Sequence, residues 1–393
     1  MTGKHKTDQQ IKKILIFIDW YLPGYKAGGP IKSCVSLVER MKSSYHFKIV
    51  TSDTDLNETS PYPGIQPDVW SVTPQETEVF YCSRKFLKRK NLEKIILEEQ
   101  PDVIYLNSMF SLNFTLRPLL IIRQNKINCK VIVAPRGMLS KGALALKPVK
   151  KRLFLSFSKV MGLFNNVTFH ASTKIEVQEI KSVFGEKVNI VHAINLTPDV
   201  TVLKIPRLKL ENKMSLVYVG RISEVKNLLQ CLKVLGKINT DYEINFDIYG
   251  PPDDARYFEL CKKEIALLPP NVNATLKGPA DNAGITSMLS NYHFLFLLSM
   301  NENYGHAIVE GLTAGCPVII GNRTPWHNLE SKKCGWDIPL EQEDQIIAAL
   351  NSAAAMNQEK YNEWSSAASD FALQIHENKK TIEDHHLLFD ISR

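Results

Sequence analysis

The stretch Ser299–Glu310, SMNENYGHAIVE, joins a strand-like apolar segment to a helical one. The preceding residues His293–Leu298 have the pattern of a buried strand, and His306–Ala314 has the apolar spacing of a helix. In a strand-turn-helix unit, the free amides of the first helical turn and the positive end of the helix dipole face the same point. This stretch therefore predicts an α/β fold and, around residues 303–306, a place for a diphosphate.

Two glutamates in this stretch are separated by seven residues. Taken alone, Glu302 reads as a capping acid before the helix and Glu310 as a solvated helix residue. Glu310, however, has apolar neighbours that leave only a narrow polar stripe, and a buried carboxylate needs a partner such as a pair of sugar hydroxyls. We interpret both as ligand-binding residues. The candidate site also includes Asn303, Tyr304, Gly305 and His306.

A second strand-turn-helix unit lies at Val217–Asn227, VYVGRISEVKN. Arg221 and Lys226 follow the strand and the turn at Gly220, so their charges are placed to neutralise a leaving diphosphate. The alternative is two surface cations beside Glu224. The same arrangement at two strand ends of one domain favours a site.

The loop after the first strand, Tyr21–Pro30, reads YLPGYKAGGP. Gly28 and Gly29 remove side chains where a backbone approaches a ligand. The loop lacks the Gly-x-Gly-x-x-Gly spacing of dinucleotide folds, which argues against a nicotinamide or flavin dehydrogenase. A purely structural turn remains an alternative for this loop.

Strand and helix patterns alternate along the whole chain, which indicates parallel sheets covered on both faces. The alternation restarts after an irregular stretch at Leu196–Lys213, and 393 residues exceed what one core usually serves. We therefore expect an α/β fold with two domains at residues 1–205 and 206–375. We expect the tail at 376–393 to form a helix that packs back on the first domain, with solvated histidines at its centre, His385 and His386.

Charge is unevenly distributed along the chain, whose net charge is +7. Residues 1–206 hold 30 Lys and Arg against 17 Asp and Glu, whereas residues 207–393 hold 18 against 24. Between Asp102 and Glu176 there are twelve Lys and Arg and no acid. An anionic partner for the first domain is expected, and nucleic acid, phosphorylated sugar and acidic lipid all qualify.

Part of this acid-free segment has a membrane-surface pattern. Residues 147–164 begin with Lys147, Lys150, Lys151 and Arg152 and continue with many apolar residues. The pattern is typical of a basic amphipathic helix at a membrane surface. A core helix with a solvated basic end fits it equally well.

Several classes of protein are not favoured. The polar N-terminus MTGKHKTDQQIKK lacks the apolar core of a secretory signal, and no apolar run is long enough to span a bilayer. The seven cysteines are scattered without a Cys-x-x-Cys pair, and neither they nor the histidines have metal-site spacing. We expect a cytoplasmic protein with reduced thiols and no metal.

The ordered motifs YxPGxKAGGP, APRGML, VGRxxxxKN and ENYGHAIVE resemble those of family 4 glycosyltransferases over nearly the whole chain. The resemblance implies the GT-B fold, in which two Rossmann-like domains face each other across a cleft. It also implies a retaining, metal-independent enzyme that uses a nucleotide-diphosphate sugar, with UDP as the expected nucleotide. The implied setting is bacterial envelope, capsular or lipopolysaccharide synthesis at the inner face of the membrane, with a glycan or lipid-linked acceptor.

The resemblance also implies residue roles in donor binding. Glu310 would hold the donor ribose, and Arg221 and Lys226 the diphosphate. Glu302, with the amides of residues 303–306, would contact the donor sugar and its phosphates. Gly28 and Gly29 would close over the donor from the first domain.

The acceptor side departs from the family pattern. Many relatives carry a histidine on a first-domain loop, where this chain has Asn107 after one strand and Arg136 after another. Either residue could contact the acceptor sugar, and both could equally be structural. Asp53 and Asp55 have the Asp-x-Asp form of metal-dependent transferases, but we expect them to shape a loop.

Other functions remain open at this point. The basic first domain admits nucleic-acid binding, although stacking aromatics and a reading helix are not evident. The same fold also serves sugar-nucleotide epimerases and non-catalytic sugar-nucleotide sensors.

Overall fold

A computed structural model describes residues 11–145, 148–198, 202, 205–280 and 284–391. It divides into two compact units. The first comprises residues 1–199 together with 379–393, and the second comprises residues 200–378. Lys147 of the expected membrane segment lies outside the described residues.

The first unit contains an eight-stranded sheet in the order β3-β4-β2-β1-β5-β6-β7-β8. All neighbouring strands pair in parallel except β3 and β4, which are antiparallel. The strands are β1 (Lys13–Phe17), β2 (His46–Ser52), β3 (Trp70–Val72), β4 (Glu78–Cys82), β5 (Val103–Leu106), β6 (Lys130–Val133), β7 (Thr168–Ala171) and β8 (Asn189–His192).

Helices connect these strands and cover both faces of the sheet. They are α1 (Gly29–Met41), α2 (Arg89–Glu99), a π-helix at Leu112–Leu116, α3 (Arg117–Gln124), α4 (Lys141–Ala145), α5 (Pro148–Val160) and α6 (Lys174–Phe184). Strand β1 shows the two covered faces directly. Leu15 and Phe17 belong to one buried cluster, whereas Ile14 and Ile16 belong to another on the opposite face, as the period of two in a strand requires.

The end of the chain belongs to this first unit as helix α13 (Lys379–Phe389). Leu388 and Phe389 are fully buried in the cluster that also contains Ile14 and Ile16. The expectation of a solvated His385 is wrong, because its ring is buried and packs edge-on against His170 at 5.4 Å between centroids. Its Nδ1 atom is 2.8 Å from the carbonyl oxygen of Thr381.

The second unit contains a six-stranded sheet in the order β11-β10-β9-β12-β13-β14, in which all pairs are parallel. The strands are β9 (Lys213–Val219), β10 (Glu243–Tyr249), β11 (Val272–Gly278), β12 (Phe294–Leu297), β13 (Val318–Gly321) and β14 (Gly335–Ile338). The helices are α7 (Leu228–Leu235), α8 (Ala255–Ala266), α9 (Ile285–Leu289), α10 (His306–Thr313), α11 (Glu343–Ala354) and α12 (Gln358–His376). The expected α/β class with two parallel-sheet domains is confirmed.

Candidate active site in the second unit

Three adjacent strands of the second unit end in polar loops on the same edge of the sheet. Strand β9 lies between β10 and β12, and all three are parallel, so their carboxyl ends meet. Arg221 follows β9, Asp253 follows β10, and Glu302 follows β12. In open α/β sheets this edge is where ligands bind.

An ion pair joins two of these loops. The Nζ atom of Lys226 lies 2.5 Å from Oε1 of Glu302, and the hydroxyl of Ser299 donates to the same oxygen at 2.8 Å. The Glu302 side chain is only 8% exposed, and that of Lys226 is 23% exposed. Because both charges are largely removed from water, each fixes the position of the other.

Backbone hydrogen bonds join these two loops to each other, and the Glu302 loop to the segment that follows β13. Lys226 ends a 3₁₀ turn, Glu224–Lys226, and α7 begins two residues later. The amide of Met300 donates to the carbonyl of Val225 at 2.8 Å, and the amide of Glu302 donates to the carbonyl of Arg323 at 3.0 Å. The ion pair is therefore built on loops with fixed backbones.

Arg221 is tied to the neighbouring strand end. Its Nη1 atom donates to Oδ2 of Asp253 at 2.8 Å, and both side chains are about one-third exposed. The buried Tyr218 hydroxyl donates to the Arg221 carbonyl at 3.0 Å. A guanidinium has five N–H donors, so this group keeps donors for a phosphate while Asp253 holds it.

The loops after β9 and β10 approach each other very closely at Gly250. A Cβ atom at this position would lie 1.8 Å from the carbonyl oxygen of Gly220, and the backbone has φ of +152°. The amide of Gly220 donates to the carbonyl of Tyr249 at 3.0 Å. Only glycine permits this spacing, which sets the distance between Arg221 and Asp253.

Helix α10 begins at His306, directly after Gly305 with φ of 78° and ψ of 60°. No side chain caps this end, and the first turn contains no acidic residue. The buried Tyr304 before it is held by Trp326, whose Nε1 donates to the Tyr304 carbonyl at 2.5 Å. The positive end of the helix dipole is therefore open to an anion from outside the helix.

Glu310 lies on the second turn of α10 and is partly buried. Burial raises the pKa of the Tyr304 hydroxyl above its ordinary value, and the negative charge of the nearby Glu310 raises it further. Glu310 is thus on the same part of α10 as the start of the helix and Tyr304.

The structure brings most of the predicted residues of the second unit to one sheet edge. These are Gly220, Arg221, Lys226, Glu302, Asn303, Tyr304, Gly305 and His306, with Glu310 one turn further along α10. Four further residues of this edge were not predicted from the sequence, namely Tyr218, Asp253, Ser299 and Trp326. Asp253 had a signal, since it lies in a Gly-Pro-Pro-Asp-Asp loop that follows a strand.

The predicted residues of the first unit also lie at the carboxyl edge of their sheet. Gly28 and Gly29 start α1. Asn107 follows β5, and its Nδ2 atom donates to the Pro30 carbonyl at 3.4 Å. Arg136 follows β6, and its Nε atom donates to Oδ1 of Asn107 at 2.6 Å.

Arg136 takes part in a buried polar network. Its Nη2 atom donates to the Tyr105 hydroxyl at 2.8 Å, and Nη1 donates to Oδ1 of Asn195. The Tyr105 hydroxyl is 2.7 Å from Nδ1 of His170. Burial, followed by the positive charge of Arg136, lowers the pKa of His170 well below its ordinary value. The network connects the ends of β5, β6 and β7.

Asp55 shapes the glycine-containing loop of the first unit. Its Oδ2 atom accepts hydrogen bonds from the amides of Tyr25 at 2.9 Å and Lys26 at 3.3 Å. Burial raises the pKa of the neighbouring Asp53. Within the described residues, no three His, Cys, Asp or Glu side chains cluster closely enough to hold a metal ion.

Residues 202–371 match the family Glycosyl transferases group 1. The matched residues lie within the second unit. Similar solved structures extend over both units. Sucrose-phosphate synthase from Thermosynechococcus elongatus superposes with a TM-score of 0.70 at 14% identity, covering 97% of this chain and 98% of that one.

Two further structures share the architecture. HepE from Anabaena, in complex with UDP and glucose, has a TM-score of 0.66 at 13% identity over 96% of this chain and 98% of its own. WaaG, a glycosyltransferase involved in lipopolysaccharide biosynthesis, has a TM-score of 0.60 at 13% identity over 94% and 99%. No curated protein sequence matches this chain. The shared fold is GT-B.

Proposed function

We propose that this protein transfers a sugar from a nucleotide-diphosphate sugar to a hydroxyl group of a glycan or lipid-linked acceptor, with retention at the anomeric carbon. One observation carries the proposal. The Lys226–Glu302 pair lies on the same strand edge as Arg221 and the uncapped start of α10. Two cations and a helix terminus at one place suit a pyrophosphate, and the group 1 match of residues 202–371 supports the same chemistry.

The proposed donor contacts follow from this geometry. Arg221 and Lys226 neutralise the diphosphate together with the amides at the start of α10, residues 303–306. Glu302 orients Lys226 and contacts the donor sugar. Glu310, one turn further along the helix, accepts hydrogen bonds from the ribose hydroxyls. No metal is assigned to the site, because the cations and the helix dipole supply the positive charge.

The reaction proposed for this site needs no protein nucleophile. The bond from the anomeric carbon to the phosphate oxygen breaks while the acceptor oxygen bonds to that carbon from the same face. The departing phosphate oxygen takes the proton of the acceptor hydroxyl, so charge develops where Arg221 and Lys226 lie. Electrostatic stabilisation of this kind is worth about 3 kcal/mol per donor in mutagenesis of other enzymes.

Uridine diphosphate is the proposed nucleotide, and envelope polysaccharide the proposed setting. The complex of HepE with UDP and glucose supports the first, and the lipopolysaccharide role of WaaG supports the second. In the first unit, Gly28 and Gly29 are proposed as donor-side residues, and Asn107 and Arg136 as acceptor-side residues. We also propose that the protein is located in the cytoplasm.

A thermal-shift panel of UDP-, GDP- and ADP-sugars tests donor binding. A ligand at about 100 times its Kd should stabilise the protein by about 2.7 kcal/mol. The Lys226→Ala variant should lose most of this stabilisation. Lys213→Ala is the matched control, because Lys213 forms an exposed pair with Glu243 at the opposite end of β9.

Catalysis is then tested with the stabilising donor and a mixture of glycan acceptors, by following release of the nucleotide diphosphate. Donor alone separates the rival activity, since an epimerase would convert the sugar without any acceptor. If no nucleotide sugar stabilises the protein, or if Lys226→Ala binds donor as the wild type does, the proposal is wrong.

A further inference from the structure

Helix α5 of the first unit, Pro148–Val160, carries a stripe of large apolar side chains that point away from the protein. Val149 is 68% exposed, Leu153 66%, Phe157 53% and Val160 86%. Their spacing of three and four residues places them on one side of the helix. We call these four residues the α5 stripe.

The helix is anchored by a different face. Phe154 packs edge-on against Phe110 at 5.3 Å between centroids, and Phe154 and Leu155 pack against the first-unit core. Ser158 on the same face is fully buried. The helix therefore has two apolar faces. The inner one is covered by its own unit, so the fold does not require the α5 stripe to be apolar.

Cations border the α5 stripe on both sides. At 100° per residue, Lys150 lies on one flank, and Arg152 and Lys159 lie on the other. All three are exposed. None of the three forms an ion pair among the described residues. This segment belongs to the run from Asp102 to Glu176 that has twelve Lys and Arg and no acid between its ends.

We infer that the α5 stripe is a docking surface for an anionic lipid bilayer, on which α5 lies parallel to the membrane plane. The apolar side chains enter the boundary between headgroups and acyl chains, and the flanking cations contact lipid phosphates. This combination, an apolar stripe with basic borders, is what holds interfacial helices at anionic membranes. No described helix is long and apolar enough to cross a bilayer.

Charge decides between a bilayer and a second copy of this chain. In a symmetric dimer through this face, the same patch meets itself, so the cations of two α5 helices would be brought together. The stretch of sequence that contains α5 has no acidic residue between Asp102 and Glu176 to balance these cations. A sheet of lipid phosphates balances them all, and the apolar stripe is buried at the same time.

The inference goes beyond the proposed transfer activity and does not depend on it. Flotation of the full chain is measured with vesicles of phosphatidylcholine alone and with vesicles that also contain phosphatidylglycerol. We expect binding to the anionic vesicles only, weakened by high salt. Leu153→Ser/Phe157→Ser should lower the vesicle partition coefficient by about tenfold or more, since two exposed apolar side chains lose their insertion.

The control for the stripe is Leu208→Ser/Leu267→Ser, which removes two leucines of the second unit that are even more exposed, at 75% and 76%. It should bind vesicles as the wild type does. A second pair of variants tests the cations that flank the α5 stripe. In each variant, the charge of three basic residues is reversed. They are Lys150→Glu/Arg152→Glu/Lys159→Glu and, as control, Lys233→Glu/Arg256→Glu/Lys263→Glu.

Each outcome bears on the inference. Because every substituted side chain is exposed, thermal unfolding should be unchanged, and an unchanged midpoint shows that lost flotation is not lost folding. Wild-type protein that does not float with anionic vesicles overturns the inference, as does a stripe variant that floats equally well. Concentration-dependent dimerisation abolished by Leu153→Ser/Phe157→Ser, without vesicle binding, would assign the α5 stripe to a second copy instead.

Discussion

Lys226 and Glu302 form the less exposed of the two ion pairs at the candidate site. The carboxylate accepts from both Lys226 and Ser299, so a neutral amide in its place loses the ion pair and leaves the ammonium partly buried without a counter-ion. We predict that Glu302→Gln lowers kcat about tenfold to a hundredfold. Steady-state kinetics with the stabilising nucleotide sugar measures the change.

The pair should also behave as a unit. The double variant Glu302→Gln/Lys226→Ala should be little worse than the poorer single variant, because either change disables the same interaction. Glu243→Gln, which breaks the exposed pair with Lys213, should leave kcat unchanged. Strictly additive losses in the double variant would show that the two residues act separately.

Gly250 offers a test of the backbone under the site. Gly250→Ala places a methyl group against the Gly220 carbonyl, at a φ that side chains rarely adopt, so the loops that carry Arg221 and Asp253 must separate. We expect a loss of about 2 kcal/mol or more in unfolding free energy and weaker donor binding. Urea unfolding and the thermal-shift panel measure both effects.

Gly284→Ala provides the comparison, since a Cβ atom there would meet no atom of the described residues within 4 Å, apart from those of its chain neighbours. Its stability and donor binding should be close to those of the wild type. If Gly250→Ala matches it in both measurements, the close approach does not support the site.

Residues of the site could be predicted where they belong to a local strand-turn-helix pattern, as Arg221, Lys226, Glu302 and Glu310 do. Their partners could not. Asp253 reaches Arg221 across 32 positions of sequence, and this pairing exists only because β9 and β10 are neighbours in the sheet. Arg136 was likewise expected as a sugar contact or a structural residue, and only the fold shows the network that holds its guanidinium.

At the scale of elements, the buried parallel strands were predicted most closely. The strand expected at His293–Leu298 is Phe294–Leu297, and the helix expected at His306–Ala314 is His306–Thr313. Strand β3 has no such signal in the sequence. Trp70–Val72 has only three residues, and it pairs antiparallel at the sheet edge, where partial exposure leaves no continuous apolar run.

Arg207 joins elements whose contact could not be predicted from the sequence. Its guanidinium donates to the carbonyls of Ser290, Ala314 and Gly315, which end α9 and α10. It also donates to the Tyr361 hydroxyl of α12 at 3.1 Å. Helix α10 starts at the candidate site, and Arg207 binds the carbonyls at the opposite, C-terminal end of this helix. Arg207 therefore helps to fix the position of α10.

We predict that Arg207→Met lowers the unfolding free energy by about 3 kcal/mol, since it removes the guanidinium donor from the carbonyls of Ser290 and Ala314. Arg207→Lys should be intermediate, because one ammonium cannot reach all the acceptors. Urea unfolding measures both. Arg256→Met, at an exposed position of α8, is the comparison. If Arg207→Met is as stable as Arg256→Met, the hydrogen bonds of Arg207 do not stabilise the fold.

At the scale of the whole molecule, the two-unit organisation follows from repetition of the strand-helix pattern, which is visible in the sequence. The return of α13 to the first unit is different in kind. Its residues 379–389 are largely polar, and their amphipathic pattern does not reveal which sheet will bury Leu388, Phe389 and His385. That choice depends on the space left by the other helices.

The buried histidines of both units predict acid sensitivity of the whole protein. Burial lowers the pKa of His385 in the first unit and of His293 in the second to about 4 in each case. The unfolded chain, whose histidines have ordinary pKa values, therefore binds more protons than the folded chain between about pH 6.5 and pH 4. The free energy of unfolding is highest above this window and falls as the pH is lowered through it.

Each histidine should lower the free energy of unfolding by about 2 kcal/mol between pH 7 and pH 5. Urea unfolding at the two pH values measures the loss, and His385→Gln should reduce it in the transition of the first unit, whatever that substitution does to stability at pH 7. An unchanged difference between the two pH values in His385→Gln would show that this histidine is not the neutral, buried group that the structure places beside His170.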